Sequence, residues 1–309
     1  MNARARRLAL TIVAVAVTAV FGYYAVRGAH PDEVWRALRA ADVWWLVPAL
    51  AILALANVVR ALRWQALFAA ETRPRLGPVT AAMLVGLAVN TLLPFRAGEA
   101  ARILALKRSA GVSRVETLAT VGLERVLDVL CLIVLLFAAL PFLPEVSWLR
   151  PAAALALVLV LVLVVLAVAG ERPFHMLASR STRLEHAWRS LARGLVALRR
   201  PRIAAAGFLL TSASWILVAV SFWLVTLAFG LGLPVAAGLL ALAAVGLAMV
   251  LPAAPAALGV FEAAVVLALS AYDVPRSEAL SYAFLLHALN LFPYLIAGAI
   301  AVRFTRPGR

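Results

Sequence analysis

Two apolar stretches, one in each half of the sequence, are broken by proline and glycine and then followed by a carboxylate: Pro94-Phe-Arg-Ala-Gly-Glu99 and Pro255-Ala-Ala-Leu-Gly-Val-Phe-Glu262. A helix restarting near Gly98 aims unpaired backbone N–H groups and the positive end of its dipole at whatever precedes it. That is chemistry for an anion. Arg96 lies before the restart and Arg102 after it, and Glu99, three residues from each, is spaced to pair with both. A lipid headgroup with a phosphate and an amine would find partners for each charge there. The plainer reading is a closed Arg96–Glu99–Arg102 salt bridge that only holds the turn. Each charge costs about 2.5 to 3.5 kcal/mol at mid-bilayer, and three charges at that cost weigh towards a binding site.

Glu262 has no cation near it in sequence. It is either the partner of a distant Arg or a protonatable group, and the sequence leaves both open. Glu124, Arg125 and Asp128 form a third cluster; the i to i+4 spacing puts both carboxylates on one helix face, where Arg125 reaches Asp128. A structural ion-pair cluster is the favoured reading. Arg60 and Arg63, followed by Trp64, read as an interfacial anchor, with a headgroup guide as the sharper alternative. His287 and Asn290 share a face of the last helix, where a helix-to-helix hydrogen bond is the default.

Elements that could hold these residues must lie in a membrane. Of 309 residues 65% are hydrophobic and 14% charged, with a mean hydropathy of +1.00; a soluble chain is about half apolar and about a quarter charged. The apolar residues suffice for roughly six to eight spans of about 20 residues each. The longest stretch without a span, 170–202, is too short for a catalytic domain, which excludes a soluble enzyme. The formal charge of +15, carried almost wholly by arginine, is explained by cytoplasmic loops before nucleic-acid binding. No metal cage is expected: the four His are isolated, and the single cysteine, Cys131, permits neither an intrachain disulfide nor a thiolate set.

The expected architecture is all-α: one polytopic membrane domain over 1–309 with about six full spans plus two interrupted, re-entrant helical hairpins of opposite entry. The apolar run 8–26 exceeds the core of a signal peptide, about 7 to 15 residues, and reads as a retained helix. Residues 31–41 form an amphipathic turn in the interface, and Trp44 and Trp45 mark the start of span two, 44–59. The short segment 79–93 ends at Pro94 and is followed by cations, so the positive-inside bias favours a hairpin that enters from the cytoplasm and returns. Spans follow at 115–140 and 151–169. Residues 171–202 carry Leu184, Trp188, Leu191, Leu195 and Leu198 at helical steps, an amphipathic connector on the inner leaflet. Span 203–229, an interrupted region 235–270 broken at Pro252 and Pro255, and a last helix 279–302 complete the layout. It places both termini in the cytoplasm of a bacterial inner-membrane protein.

Four ordered motifs then resemble a known family: Arg60-Ala-Leu-Arg-Trp64, Asn90-Thr-Leu-Leu-Pro-Phe-Arg-Ala-Gly-Glu-Ala-Ala-Arg102, Glu124-Arg-Val-Leu-Asp128 and Pro255 to Glu262. Together they resemble the lysylphosphatidylglycerol synthase transmembrane region, the flippase-like half of the bacterial multiple peptide resistance factor. The resemblance implies a domain that moves a lipid with a charged headgroup between leaflets and needs no cofactor. In two-domain relatives the lipid is an aminoacylated phosphatidylglycerol made by a fused cytosolic synthase, which this chain is expected to lack. Other members are linked to polyprenyl-phosphate sugars, so the cargo stays open. By position the resemblance carries over Asn90, Arg96, Glu99, Arg102, Glu124, Arg125, Asp128 and Glu262 as site residues, with Pro94, Gly98, Pro255 and Gly259 at the turns.

One departure stands out: relatives usually carry Pro-Gly-Gly where this chain has Pro255-Ala256-Ala257. Alanine disfavours positive φ, so either this turn is mainly helical or the cargo contact has moved. Three functions compete: a translocase for a phospholipid or polyprenyl-linked lipid, a non-catalytic membrane subunit serving a separate synthase or glycosyltransferase, and an intramembrane lipid-phosphate enzyme. The last lacks ligand-spaced carboxylates or His pairs.

Overall fold

The computed structural model describes residues 3–93, 97–144, 200–249 and 254–305, with isolated helical positions at 151, 154, 157 and 158. The expected span 151–169 and connector 171–202 fall almost wholly outside the described residues, as do Pro94, Arg96 and Pro252. The described residues fold as α1 (Ala3–Val26), α2 (Pro31–Ala40), α3 (Leu46–Ala66), α4 (Leu76–Leu92), α5 (Ala97–Ala110), α6 (Arg114–Ala139), α7 (Pro201–Ala228), α8 (Val235–Ala248), α9 (Val260–Ser270) and α10 (Arg276–Ala301). No strand occurs among them.

Four of these helices, α3, α6, α7 and α10 with their short 3-10 extensions, are long and apolar enough to cross a membrane; α1 and α2, bent by 77° at Gly28 and its neighbours, make a fifth if taken as one span. α4, α8 and α9 are shorter apolar helices. At about 1.5 Å per residue α4 and α5 are roughly 25 and 21 Å long, less than the ~30 Å of a bilayer core. The chain is an all-helical membrane protein.

Contacts along the helices set their relative directions. The Asp42 N–H, just before α3, donates to the Ala228 carbonyl at the end of α7 (2.8 Å), and Ser221 of α7 donates to the Ala49 carbonyl of α3 (2.8 Å). α3 and α7 therefore run antiparallel, packed along their length. α10 starts where α1 ends, with Arg276 bonded to the Tyr24 carbonyl, and its far end meets the start of α4. α4 and α5 fold back on each other, as do α8 and α9. The first helix of each pair also packs on a long helix of the other half, α4 on α10 and α8 on α6.

Small residues let these backbones approach, the usual device where lipid tails remove any hydrophobic drive between helices. A Cβ on Gly238 of α8 would lie 2.3 Å from the Ala219 carbonyl oxygen of α7. One on Gly298 of α10 would lie 2.3 Å from the Ala88 Cβ of α4. The larger apolar core joins α3, α6, α7, α8, α9 and α10; a smaller one, around Trp64, Phe68, Met83 and Leu106, seats the first hairpin.

One boundary differs from expectation. α3 does not stop at 59 but continues through Arg60 and Arg63 to Ala66. Arg63 tolerates this because buried carboxylates pair with it, and Arg60 because it stacks on the Trp215 ring.

Candidate functional site

Asn90 near the end of α4 turns its side-chain oxygen onto the Gly98 N–H at the start of α5 (2.8 Å). One of the free donors of the restarting helix is thus capped by the preceding helix. Gly98 is needed for this geometry, since a Cβ there would fall 1.9 Å from the Gly86 carbonyl oxygen. The tight crossing delivers Glu99 and Arg102 to the face of α5 that meets α6.

There the two sequence clusters merge. Arg102 lies against Glu99 (2.8 Å) and donates to Glu124 Oε2 (2.5 Å). Arg125 bridges Glu99 (2.9 Å) and Asp128 (3.3 Å). Arg63, reaching in from α3, donates to Glu124 Oε1 (2.7 Å) and Asp128 Oδ1 (2.5 Å). Three guanidiniums therefore meet three carboxylates. Every carboxylate touches two arginines, and Glu124, 1% exposed, is the innermost. Such desolvated charges persist only when paired, though Arg63 Nε has no hydrogen-bond partner among the described residues.

Aromatic groups wall the network. The Arg102 guanidinium sits over the Trp64 ring (4.6 Å to its centroid), and Trp64 Nε1 donates to Thr120 (3.1 Å). On the other side Trp215 of α7 donates to Asp128 (3.2 Å), and Arg60 stacks over that same indole (4.7 Å). Arg60 has no carboxylate partner among the described residues. The cluster is closed on its inner side and open on its outer side, where the Arg125 side chain is 44% and the Glu99 side chain 23% exposed. The continuous path Glu99–Arg125–Asp128–Trp215–Arg60 ends in a cation outside the balanced six-charge network, so network and Arg60 together carry one net positive charge.

This corrects the anchor reading of Arg63 and Trp64: both are buried, one inside the ion network and the other beneath it. The expected Arg102–Glu99 pairing and the proximity of Arg125 to Asp128 are present. The proposed partner Arg96 lies outside the described residues. Trp215 and Thr211, which Arg63 also contacts (3.3 Å), carry no signal in the sequence; only tertiary packing selects them.

Ala256 and Ala257 both have positive φ, 58° and 54°, followed by Gly259 at 78°, so the left-handed turn is kept although alanine replaces glycine. Gly259 presses on α1, where a Cβ would lie 2.8 Å from the Thr18 carbonyl oxygen. Glu262 accepts the Gly259 N–H with Oε2 (2.7 Å), capping its own helix. Its Oε1 lies 2.6 Å from His287 Nδ1 of α10, with the imidazole stacked on Phe261 (4.3 Å). The partner of Glu262 is a histidine, not a distant arginine. Asn290 bonds within its own helix, to the Leu286 carbonyl (2.9 Å), so of the two His287 makes the helix-to-helix bond among the described residues.

Among the described residues no three His, Cys, Asp or Glu side chains gather as metal ligands. The fold and the buried charges define a polytopic helical membrane protein whose polar chemistry is concentrated at two helix restarts. Residues 11–298 match the family model of the lysylphosphatidylglycerol synthase TM region. The chain belongs to that family, which ties it to membrane lipid biology. No curated protein matches it.

Proposed function

We propose that this protein is a lipid translocase that moves a lipid with an anionic or aminoacylated headgroup between the leaflets of a bacterial inner membrane. One observation carries the reading. Each half holds a short helical hairpin whose restart bears a carboxylate clamped to the following long helix, Glu99 to Arg125 of α6 and Glu262 to His287 of α10. At about 1.5 Å per residue, Glu124 lies roughly 15 Å from the start of α6 and His287 roughly 16 Å from the start of α10. Both depths are near half of a ~30 Å hydrocarbon core.

With cytoplasmic ends assigned by arginine content, α3 and α10 descend to the cytoplasm while α6 and α7 leave it. The α4–α5 hairpin then enters from inside and the α8–α9 hairpin from outside, the pattern of discontinuous helices meeting at a midplane site. The open edge Arg60–Arg125–Glu99 offers cations to a phosphate and a carboxylate to an amine. The acyl tails stay in lipid.

The even balance within the six-charge network favours a second reading, a membrane subunit that holds a separate lipid-modifying enzyme without moving lipid itself. Leaflet exchange of labelled phosphatidylglycerol and of lysyl-phosphatidylglycerol in proteoliposomes separates the two. A translocase accelerates exchange, and Arg125→Gln and Glu99→Gln slow it while the protein remains folded. No acceleration by the intact protein leaves the subunit reading.

A further inference from the structure

α4 and α10 touch closely at one level and line a groove at another. Gly298 of α10 meets Ala88 and the Leu84 carbonyl of α4 with no room for a side chain. Beyond that contact, residues from the start of α4 and the end of α10 line a shared depression. It is a groove of about 670 Å³ lined by Leu76, Gly77, Leu84, Ala297, Ile300 and Phe304, among others. This falls within the range of about 300–1,000 Å³ for sites that hold small ligands. Thr80 supplies the one hydroxyl of the lining and turns it back onto the Leu76 carbonyl of its own helix (2.9 Å), so the groove itself is apolar.

Its mouth is basic. Arg75 immediately precedes Leu76 and Arg303 lies between Ala301 and Phe304, both of which line the groove; Arg73 is in the same approach loop. All three are exposed and none has a carboxylate partner among the described residues. Glu71 in the same loop leaves the rim at a net charge of about +2.

We infer that this groove is a binding site for one acyl chain of an anionic phospholipid, with the lipid phosphate held at the rim by Arg75 and Arg303. The site is separate from the Arg63–Glu124 network and takes a resident lipid. An apolar slot requires a hydrocarbon occupant, and the guanidinium rim selects a phosphate headgroup without a compensating amine cation. Binding here requires no lipid movement, so it stands or falls apart from the translocase reading.

The test uses the full-length protein in phosphatidylcholine vesicles doped with either phosphatidylglycerol or phosphatidylcholine bearing a photoreactive acyl chain, with adducts mapped by mass spectrometry. Phosphatidylglycerol adducts should concentrate on 76–84 and 297–304, while phosphatidylcholine adducts spread around the apolar belt. Arg75→Gln and Arg303→Gln should each reduce the phosphatidylglycerol preference by about fivefold, the worth of one arginine near a charged lipid. Gly77 lines the groove and a Cβ there meets nothing within 4 Å, so Gly77→Phe adds bulk at the groove wall from a position with room for its Cβ, and should remove most groove adducts at unchanged melting temperature. Equal labelling by the two lipids, or groove adducts that persist in Gly77→Phe, overturns the assignment.

Discussion

The Gly86 carbonyl oxygen of α4 lies only 1.9 Å from where a Cβ on Gly98 of α5 would be. The two helices cross here with backbone against backbone, and the same crossing brings the Gly98 N–H to Asn90 and presents Glu99 and Arg102 to α6. Gly98→Ala must push the hairpin apart. Overpacking of this kind costs about 1–3 kcal/mol, and more where backbone has to move. The variant should melt several degrees below the parent in detergent, with loss of any leaflet exchange. Gly122 provides the control: it lies in the middle of α6 with nothing within 4 Å of its Cβ position, so Gly122→Ala should melt at the same temperature or higher. Equal melting temperatures for Gly98→Ala and the parent would show that the crossing is looser than its geometry.

Arg63 ties α3 to α6 through two carboxylates at once, at 2.7 Å from Glu124 and 2.5 Å from Asp128. Arg63→Met leaves both acids sharing the remaining arginines in a dry setting. Removal of one partner from a buried ion pair costs about 3–5 kcal/mol. Arg63→Met combined with Asp128→Asn restores the charge balance and should recover part of that loss. The check is a double-mutant cycle by chemical or thermal unfolding, where strictly additive effects would refute the coupling.

The local part of this site was legible because helical spacing reports which residues share a face. Glu99 with Arg102, and Glu124 with Asp128, were found that way. Their union into one network was not legible, since it depends on Arg63 from α3 and Trp215 from α7, and periodicity says nothing about which helices become neighbours. A cation and a tryptophan at the end of an apolar run have the same local signature whether they anchor in headgroups or turn inward; Arg63 and Trp64 turn inward. Glu262 and His287 each stand alone in the sequence, and their contact follows only from α9 folding against α10.

Backbone propensity misled at Ala256 and Ala257 for a related reason. Left-handed conformations cost a non-glycine residue roughly 1–2 kcal/mol, but packing of Gly259 on α1 and the Ala254 N–H bond to Thr18 (3.0 Å) hold the turn regardless. Ala256→Gly should therefore relieve local strain while giving back about 0.5–1 kcal/mol in unfolded-state entropy. The melting temperature should stay level or rise slightly. Ala256→Val, with a branched side chain forced into positive φ, should lower it clearly. A valine variant as stable as the parent would mean that the turn can relax to an ordinary conformation.

Glu262 makes two contacts that can be separated by substitution, one to the Gly259 N–H and one to His287 Nδ1. Glu262→Ala deletes both and leaves a buried N–H and a buried imidazole without partners, at about 1–3 kcal/mol for each unsatisfied group. Glu262→Gln retains an oxygen for the Gly259 N–H and an amide facing the imidazole, so the helix cap survives and only the charge is lost. The expected melting order is parent, then Gln close beneath it, then Ala well below. The same pair of variants then reads function apart from folding. If the carboxylate serves the passage of a charged headgroup, Glu262→Gln slows leaflet exchange at nearly unchanged stability. An undiminished rate in Glu262→Gln would reduce Glu262 to a helix cap and confine the headgroup path to the open edge at Arg60, Arg125 and Glu99.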